Sequence, residues 1–154
     1  MDRETFIREA EQLLPRTAFA PLGIRVQRWD PERFELTLDI DDRHRQPFGI
    51  LHGGVSALLA ESAASFAAAM NVDLSRTIVA GVDLNATHLK AKRHGTIVAT
   101  ARPLYRGRTT HVYTVDVTDE GGDLVCAARC TVAVRPRKGT TAEGQADSAP
   151  RAAE

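Results

Sequence analysis

The chain has little of what marks several large protein classes. Aromatic residues are few, with one Trp, two Tyr and five Phe in 154 residues, so no aromatic box for a ligand ring can be read from it. Net charge is absent. Twenty basic residues balance twenty acidic ones, without the basic excess or stripe of a nucleic-acid binder. There are only two cysteines, Cys126 and Cys130. On one strand they point to the same face but stand well apart along it, which is poor disulfide geometry. They read as small buried core thiols, and a reduced, cytoplasmic setting is the matching expectation. The opening MDRETFIREAEQLL lacks an apolar core of signal-peptide length. The one long uncharged run is rich in Ala and Gly and contains Glu61. Alanine drives membrane insertion weakly, so this run is not read as a membrane span.

What is present suits one domain. Residues 2–14 place Phe6, Ile7, Ala10, Leu13 and Leu14 at helical spacing, and Pro15 ends that helix. Ile24 to Trp29 and Arg33 to Ile40 read as strands around the turn at Asp30-Pro31-Glu32, followed by a loop to Gly49. Four further strands alternate with period two. Thr77 to Lys90 is expected to place Ile78, Ala80, Val82, Leu84 and Ala86 on one face. Thr96 to Tyr105 places Ile97, Ala99 and Ala101 together, and His111 to Thr118 does so with Tyr113, Val115 and Val117. The last, Leu124 to Val134, follows a hairpin turn at Asp119-Glu120-Gly121-Gly122. The pattern predicts an α+β domain, a long helix beside an antiparallel sheet of about six strands. Residues 1–19 read as an N-terminal helix and linker, 20–134 as the folded domain and 135–154 as a disordered tail.

The long helix, Gly53 to Met70, carries the chemistry. Val55, Leu59, Ser62, Phe66 and Met70 fall on one face. Glu61, the run's single charged residue, falls on the other among Ala57, Ala60, Ala64 and Ala68. A surface helix would fill that face with polar side chains. Alanine instead suggests close cover by another body, and a second copy of the chain is the simplest supplier. His52-Gly53-Gly54 opens the helix. Free first-turn amides and the positive helix end suit an anion or a developing oxyanion. A carboxylate two turns away is equipment for acyl hydrolysis, by attack on the carbonyl or by deprotonating water. The plainer alternative makes Glu61 a solvent-facing residue and Gly53-Gly54 a tight loop.

RQPFGILHGGVSALLAESAAS, with VAGVDLNATHLKAKRHG, PLYRGRTTHVYTVDV and CTVAV after it, resembles the hotdog-fold acyl-CoA thioesterases. The similarity covers Ala20 to Val134. It is to the PaaI-like and aryl-CoA branch, in particular the 1,4-dihydroxy-2-naphthoyl-CoA and 4-hydroxybenzoyl-CoA thioesterases with a helix glutamate. The resemblance implies a central helix wrapped by the sheet, in a homodimer or a dimer of dimers (a homotetramer) with active sites between subunits. It implies that Glu61 is the nucleophile or general base. The Gly53 amide polarises the thioester carbonyl with Gln46 as helper, both from the partner chain. His52 shapes the turn, and Ser65 orients water or the acid. For the coenzyme A end it points to His88, Lys90, Lys92 and Arg93, and to Arg106, Gly107, Arg108 and Thr109. Here the match is looser, because Lys90 stands where relatives carry Arg and the residues after Gly107 differ. Many PaaI-like members carry Asp where this chain has Glu61, which favours the aryl-CoA group.

The activity implied is hydrolysis of an acyl-CoA, an aryl-CoA foremost, to free acid and CoA. No metal or redox cofactor is expected, CoA being part of the substrate, and neither nucleic acid nor membrane is an expected partner. His44, His94 and His111 lack metal-ligand spacing and read as surface or strand residues. Two alternatives stand beside this. A hotdog hydratase would need its His in a different, Pro-rich context. An acyl-CoA-sensing or structural module would have no use for Glu61. Carrier-protein thioesters are a further possible substrate class.

Overall fold

The computed structural model describes residues 2–137. Beyond Arg137, the expected tail lies outside the described residues. Helix α1 (Arg3–Leu13) begins where the Asp2 side chain accepts the Thr5 N–H at 2.9 Å, which satisfies an amide of the first turn. Pro15 lies in the 3-10 turn Leu14–Arg16 that follows. The one-turn helix α2 (Phe19–Leu22) stops at Gly23, whose left-handed φ of 63° suits glycine.

Strands β1 (Arg25–Arg28), β2 (Phe34–Ile40), β3 (Thr77–His88), β4 (Gly95–Arg106), β5 (Thr110–Asp119) and β6 (Leu124–Pro136) form one antiparallel sheet. Their spatial order is β1-β2-β4-β5-β6-β3. Strand β6 runs two residues past the expected end at Val134. Helix α3 (Gly53–Ala69) packs against β2 to β6. This is the α+β arrangement expected from the sequence.

Strands β4 and β5 keep the predicted phase. Ile97, Ala99, Ala101, Tyr113, Val115 and Val117 are fully buried. Cys126 and Cys130 are buried free thiols. Strand β3 departs from its expected phase. Gly81 pairs with Val132 and Asp83 with Thr131, so Val82 is an extra, unmatched residue. Such a bulge reverses the alternation beyond it. Val79, Leu84 and Ala86 pack on the core, whereas Ile78 and Val82 are 47% and 63% exposed.

The two faces of α3 are also corrected. Ala60, Ala63, Ala64, Ala67 and Ala68 have no exposed surface within the single chain. Alanine lets the helix backbone lie close to the chain's own sheet, so no second copy is needed to cover that face. The outer side is covered locally. Phe66 stacks on Phe34, with centroids 5.5 Å apart, and meets Phe6, Phe19 and Trp29. Each ring pair contributes about 0.5–1.5 kcal/mol beyond its buried area, which ties α1 and α2 to the core. Glu61 is exposed at the rim of the helix and not enclosed.

Candidate active site

The segment before α3 is a small pinned loop. The Gln46 N–H donates to Ile50 O at 2.9 Å and the Gly49 N–H to Gln46 O at 2.8 Å. Leu51 N–H then reaches Lys92 O, and His52 N–H reaches His44 O. His44, expected at the surface or on a strand, is fully buried in a loop turn. Its Nδ1 accepts the Asp41 N–H at 2.9 Å, and Nε2 lies 2.8 Å from Leu22 O. With Nδ1 an acceptor, Nε2 carries the proton and donates.

His52 caps α3. Its Nδ1 accepts the Gly54 N–H at 2.8 Å. That leaves the Gly53 N–H, which has no acceptor among the described residues. Gly53 itself lines a cleft of about 580 Å³, together with Gln46, Phe48, Ser56, His88 and Lys90 among others. The Gln46 Oε1 is held by the Phe48 N–H at 2.9 Å, so its amide NH₂ remains as a donor. The His88 ring lies over Gly53, where any Cβ would fall 2.5 Å from Nε2. One wall of the cleft therefore offers two donors, a backbone N–H at a positive helix end and a side-chain amide.

Glu61 sits eight residues further along α3, about 12 Å along the axis at 1.5 Å per residue. Its carboxylate lies against Gly81 of β3. Ser65, half-buried, follows one turn later. Within one chain, then, the structure gathers Gln46, His52, Gly53 and His88, and leaves Glu61 and Ser65 apart from them.

The eight cationic and turn positions divide in the same way. His88, Lys90, Lys92 and Arg93 lie at the end of the sheet where α3 begins. Arg106 to Thr109 lie at the far end of β4, roughly 35 Å away at 3.3 Å per residue. Lys90 and Lys92 are ion-paired to Asp119, Asp123 and Glu120. Arg93 reaches the carbonyls of Phe48 and Gly49 at 3.3 and 3.4 Å. Arg106 pairs with Glu32 and donates to Asn71 Oδ1 at 2.7 Å. Arg108 is exposed and unpaired among the described residues. Tyr105 closes over Gly107, and Thr109 offers its carbonyl to Val134 and Arg135. Among the described residues, no cluster of His, Cys, Asp or Glu forms a metal donor set, and no helix is long and apolar enough to cross a membrane.

The sequence reading did not single out Gly81. A glycine inside an alternating strand marks a bulge or a close approach, and VAGVDL holds both. The apolar cleft residues Phe48, Ile50, Leu89 and Val125 carried no motif.

A long helix wrapped by an antiparallel sheet, with amide donors at the helix start and a lone carboxylate along it, defines a hotdog-type acyl-transfer fold. Residues 48–126 match the thioesterase superfamily. A 1,4-dihydroxy-2-naphthoyl-CoA hydrolase of Listeria monocytogenes is 39% identical over 76% of this chain and 94% of that protein. A mutant thioesterase from Pseudomonas aeruginosa has a TM-score of 0.80 at 38% identity, covering 84% of this chain and 94% of that one. A Staphylococcus aureus thioesterase, solved with one glutamine replaced by alanine, has a TM-score of 0.74 at 30% identity, covering 77% and 98%. The same protein, solved with one glutamate replaced, has a TM-score of 0.76 and covers 79% and 100%. The chain belongs to the thioesterase superfamily and is a thioester hydrolase.

Proposed function

We propose that the chain hydrolyses an acyl-CoA thioester, an aryl-CoA foremost, between two copies of itself. The unpartnered Gly53 N–H in the cleft carries this reading. It is a ready donor for the thioester carbonyl, and the Gln46 amide is a second. Donors aimed at an oxygen that gains charge in the transition state act most strongly where water is excluded. Glu61 of the other copy supplies the carboxylate. As general base it takes a proton from the water whose oxygen attacks the carbonyl carbon. As nucleophile it attacks first, and water then cleaves the resulting anhydride. In either case the carbon–sulfur bond breaks and CoA leaves as its thiolate. CoA is part of the substrate, and no other cofactor is invoked.

Two observations support the shared site. The separation of Gly53 from Glu61 on one helix is too long for both to meet one carbonyl. Strand β3 is a sheet edge with Ile78 and Val82 exposed, and an open apolar edge is a template for pairing with another chain. The name of the Listeria relative supports an aryl-CoA. The two residues replaced in the Staphylococcus thioesterase are fifteen positions apart, as Gln46 and Glu61 are.

The test measures free-thiol release from benzoyl-, hydroxybenzoyl-, phenylacetyl-, hydroxynaphthoyl-, short- and long-chain acyl-CoA, for the native chain and Glu61→Gln. The expected result is turnover of an aryl-CoA, lost by about a thousandfold or more in Glu61→Gln with binding retained. Binding of CoA esters without thiol release by either protein would instead make it a binding module.

A further inference from the structure

We propose that Gly81 is a positioning residue for this hydrolysis, forming a seat on strand β3 against which the Glu61 carboxylate is held. The proposal rests on Glu61 being the catalytic carboxylate. A Cβ at Gly81 would lie 2.5 Å from Glu61 Oε1, 3.0 Å from Cγ and 3.1 Å from Cδ. Carbon atoms in ordinary contact stand about 3.5–4.0 Å apart, so no other residue fits under Glu61 as it stands. The three nearest atoms all belong to Glu61. The space left by the missing side chain is therefore used by this carboxylate.

Glu61 also has no hydrogen bond or ion pair among the described residues. A long, exposed acid without a polar partner keeps its rotamer freedom unless a neighbouring surface restricts it. Contact with the strand is what restricts it here.

The bulge at Val82 completes the seat. In an unbroken strand the helix-facing position after Gly81 would be Asp83. The extra residue turns Asp83 outward, where it is exposed, and gives that position to Leu84. A second carboxylate on this face would disfavour ionisation of the first. The bulge takes Asp83 off the helix-facing row of β3 and leaves that row to Gly81, Leu84 and Ala86.

The φ of Gly81 is not left-handed, so alanine meets no backbone strain there. Its conflict is with Glu61, a flexible side chain that can swing aside. The experiment compares native chain, Gly81→Ala, Glu61→Gln and the double variant, measuring kcat and KM for benzoyl-CoA and thermal unfolding. Misplacement of a reacting group by about 1 Å can cost about 100-fold. The expected result is a kcat loss of that size in Gly81→Ala, with KM and Tm near native. In the Glu61→Gln background, Gly81→Ala then causes no further loss.

Native kcat in Gly81→Ala, with Glu61→Gln inactive, overturns the seat and leaves the catalytic reading standing. An equal loss in both backgrounds also overturns it, since a structural role acts regardless of residue 61. Full activity of Glu61→Gln removes the catalytic reading and the proposal with it. Should Gly81→Ala not fold, recovery of folding in Gly81→Ala/Glu61→Ala supports the contact, and failure of both overturns it.

Discussion

Lys90 is held by Asp119, its Nζ lying 2.9 Å from Oδ2. The Asp123 carboxylate, 2.5 Å away, adds to this hold. The hydrogen bonds that Lys90 donates to these acids, to Asp123 first, push its ammonium up to about 12. In return, Lys90 holds the Asp119 carboxyl well below the usual carboxylate range, helped by the Asp123 and Gly121 amides. Lys92 is engaged in the same way by Glu120 at 2.8 Å. The acidic hairpin between β5 and β6 thus occupies two cations that the sequence offered to coenzyme A phosphates. A phosphate arriving there must compete with carboxylates already in place.

Arg108, exposed and unpaired among the described residues, is expected to contribute more to binding of a CoA phosphate than Lys90 does. Arg108→Ala is expected to raise KM for benzoyl-CoA several-fold with kcat unchanged, whereas Lys90→Ala leaves KM near native. The effect of Arg108→Ala should shrink as salt is raised, because exposed charges are screened within about 10 Å at 0.1 M. Steady-state kinetics at two ionic strengths checks this.

His111 predicts a pH dependence of stability. It is 4% exposed on β5. Burial, and then the Arg106 cation, lower its pKa. A group whose folded pKa lies below its unfolded value of about 6.5 binds fewer protons folded than unfolded. Its contribution is therefore intact above about pH 6.5 and is lost as pH falls through the folded pKa. Urea midpoints should drop as pH is lowered below about 6.5, and His111→Gln should flatten that part of the curve. An unchanged slope in the variant would place the acid sensitivity elsewhere.

The alanine stripe of α3 predicts intolerance of size. Ala64 is fully buried against the sheet. Ala64→Leu is expected to cost about 1–3 kcal/mol through overpacking, read as a lower urea midpoint at unchanged slope. If the stripe instead faced a second chain, the same substitution would change association and spare the protomer's stability.

Strands β4 and β5 were legible in the sequence because each position obeys a simple alternation. Strand β3 was misread up to Val82 and correctly phased from Leu84 on, because the inserted residue leaves composition unchanged and shifts the alternation by one between the two halves of the strand. The two faces of α3 were misassigned for a different reason. Alanine is neither polar enough to mark a solvent face nor large enough to mark a core face, so helical phase alone does not choose. Glu61 and Gly53 stood out by contrast with their uncharged surroundings. His44 did not, because a buried polar residue is satisfied by backbone partners, Asp41 N–H and Leu22 O, that no spacing rule encodes. The pairing of Lys90 with Asp119 brings together residues twenty-nine apart, which only the folded sheet reveals.

The close seat of α3 on its sheet separates what the chain must conserve from what it is free to change. Ala60, Ala64 and Ala68 are fully buried, and the cleft of about 580 Å³ lies instead at the start of the helix, with Phe48 and Leu89 in its lining. Selectivity then falls to rim residues such as Phe48, 83% exposed, and Leu89, 56% exposed. Exchanging these repacks nothing. Substrate preference can therefore drift between descendants of this fold without drawing on the stability that keeps it folded.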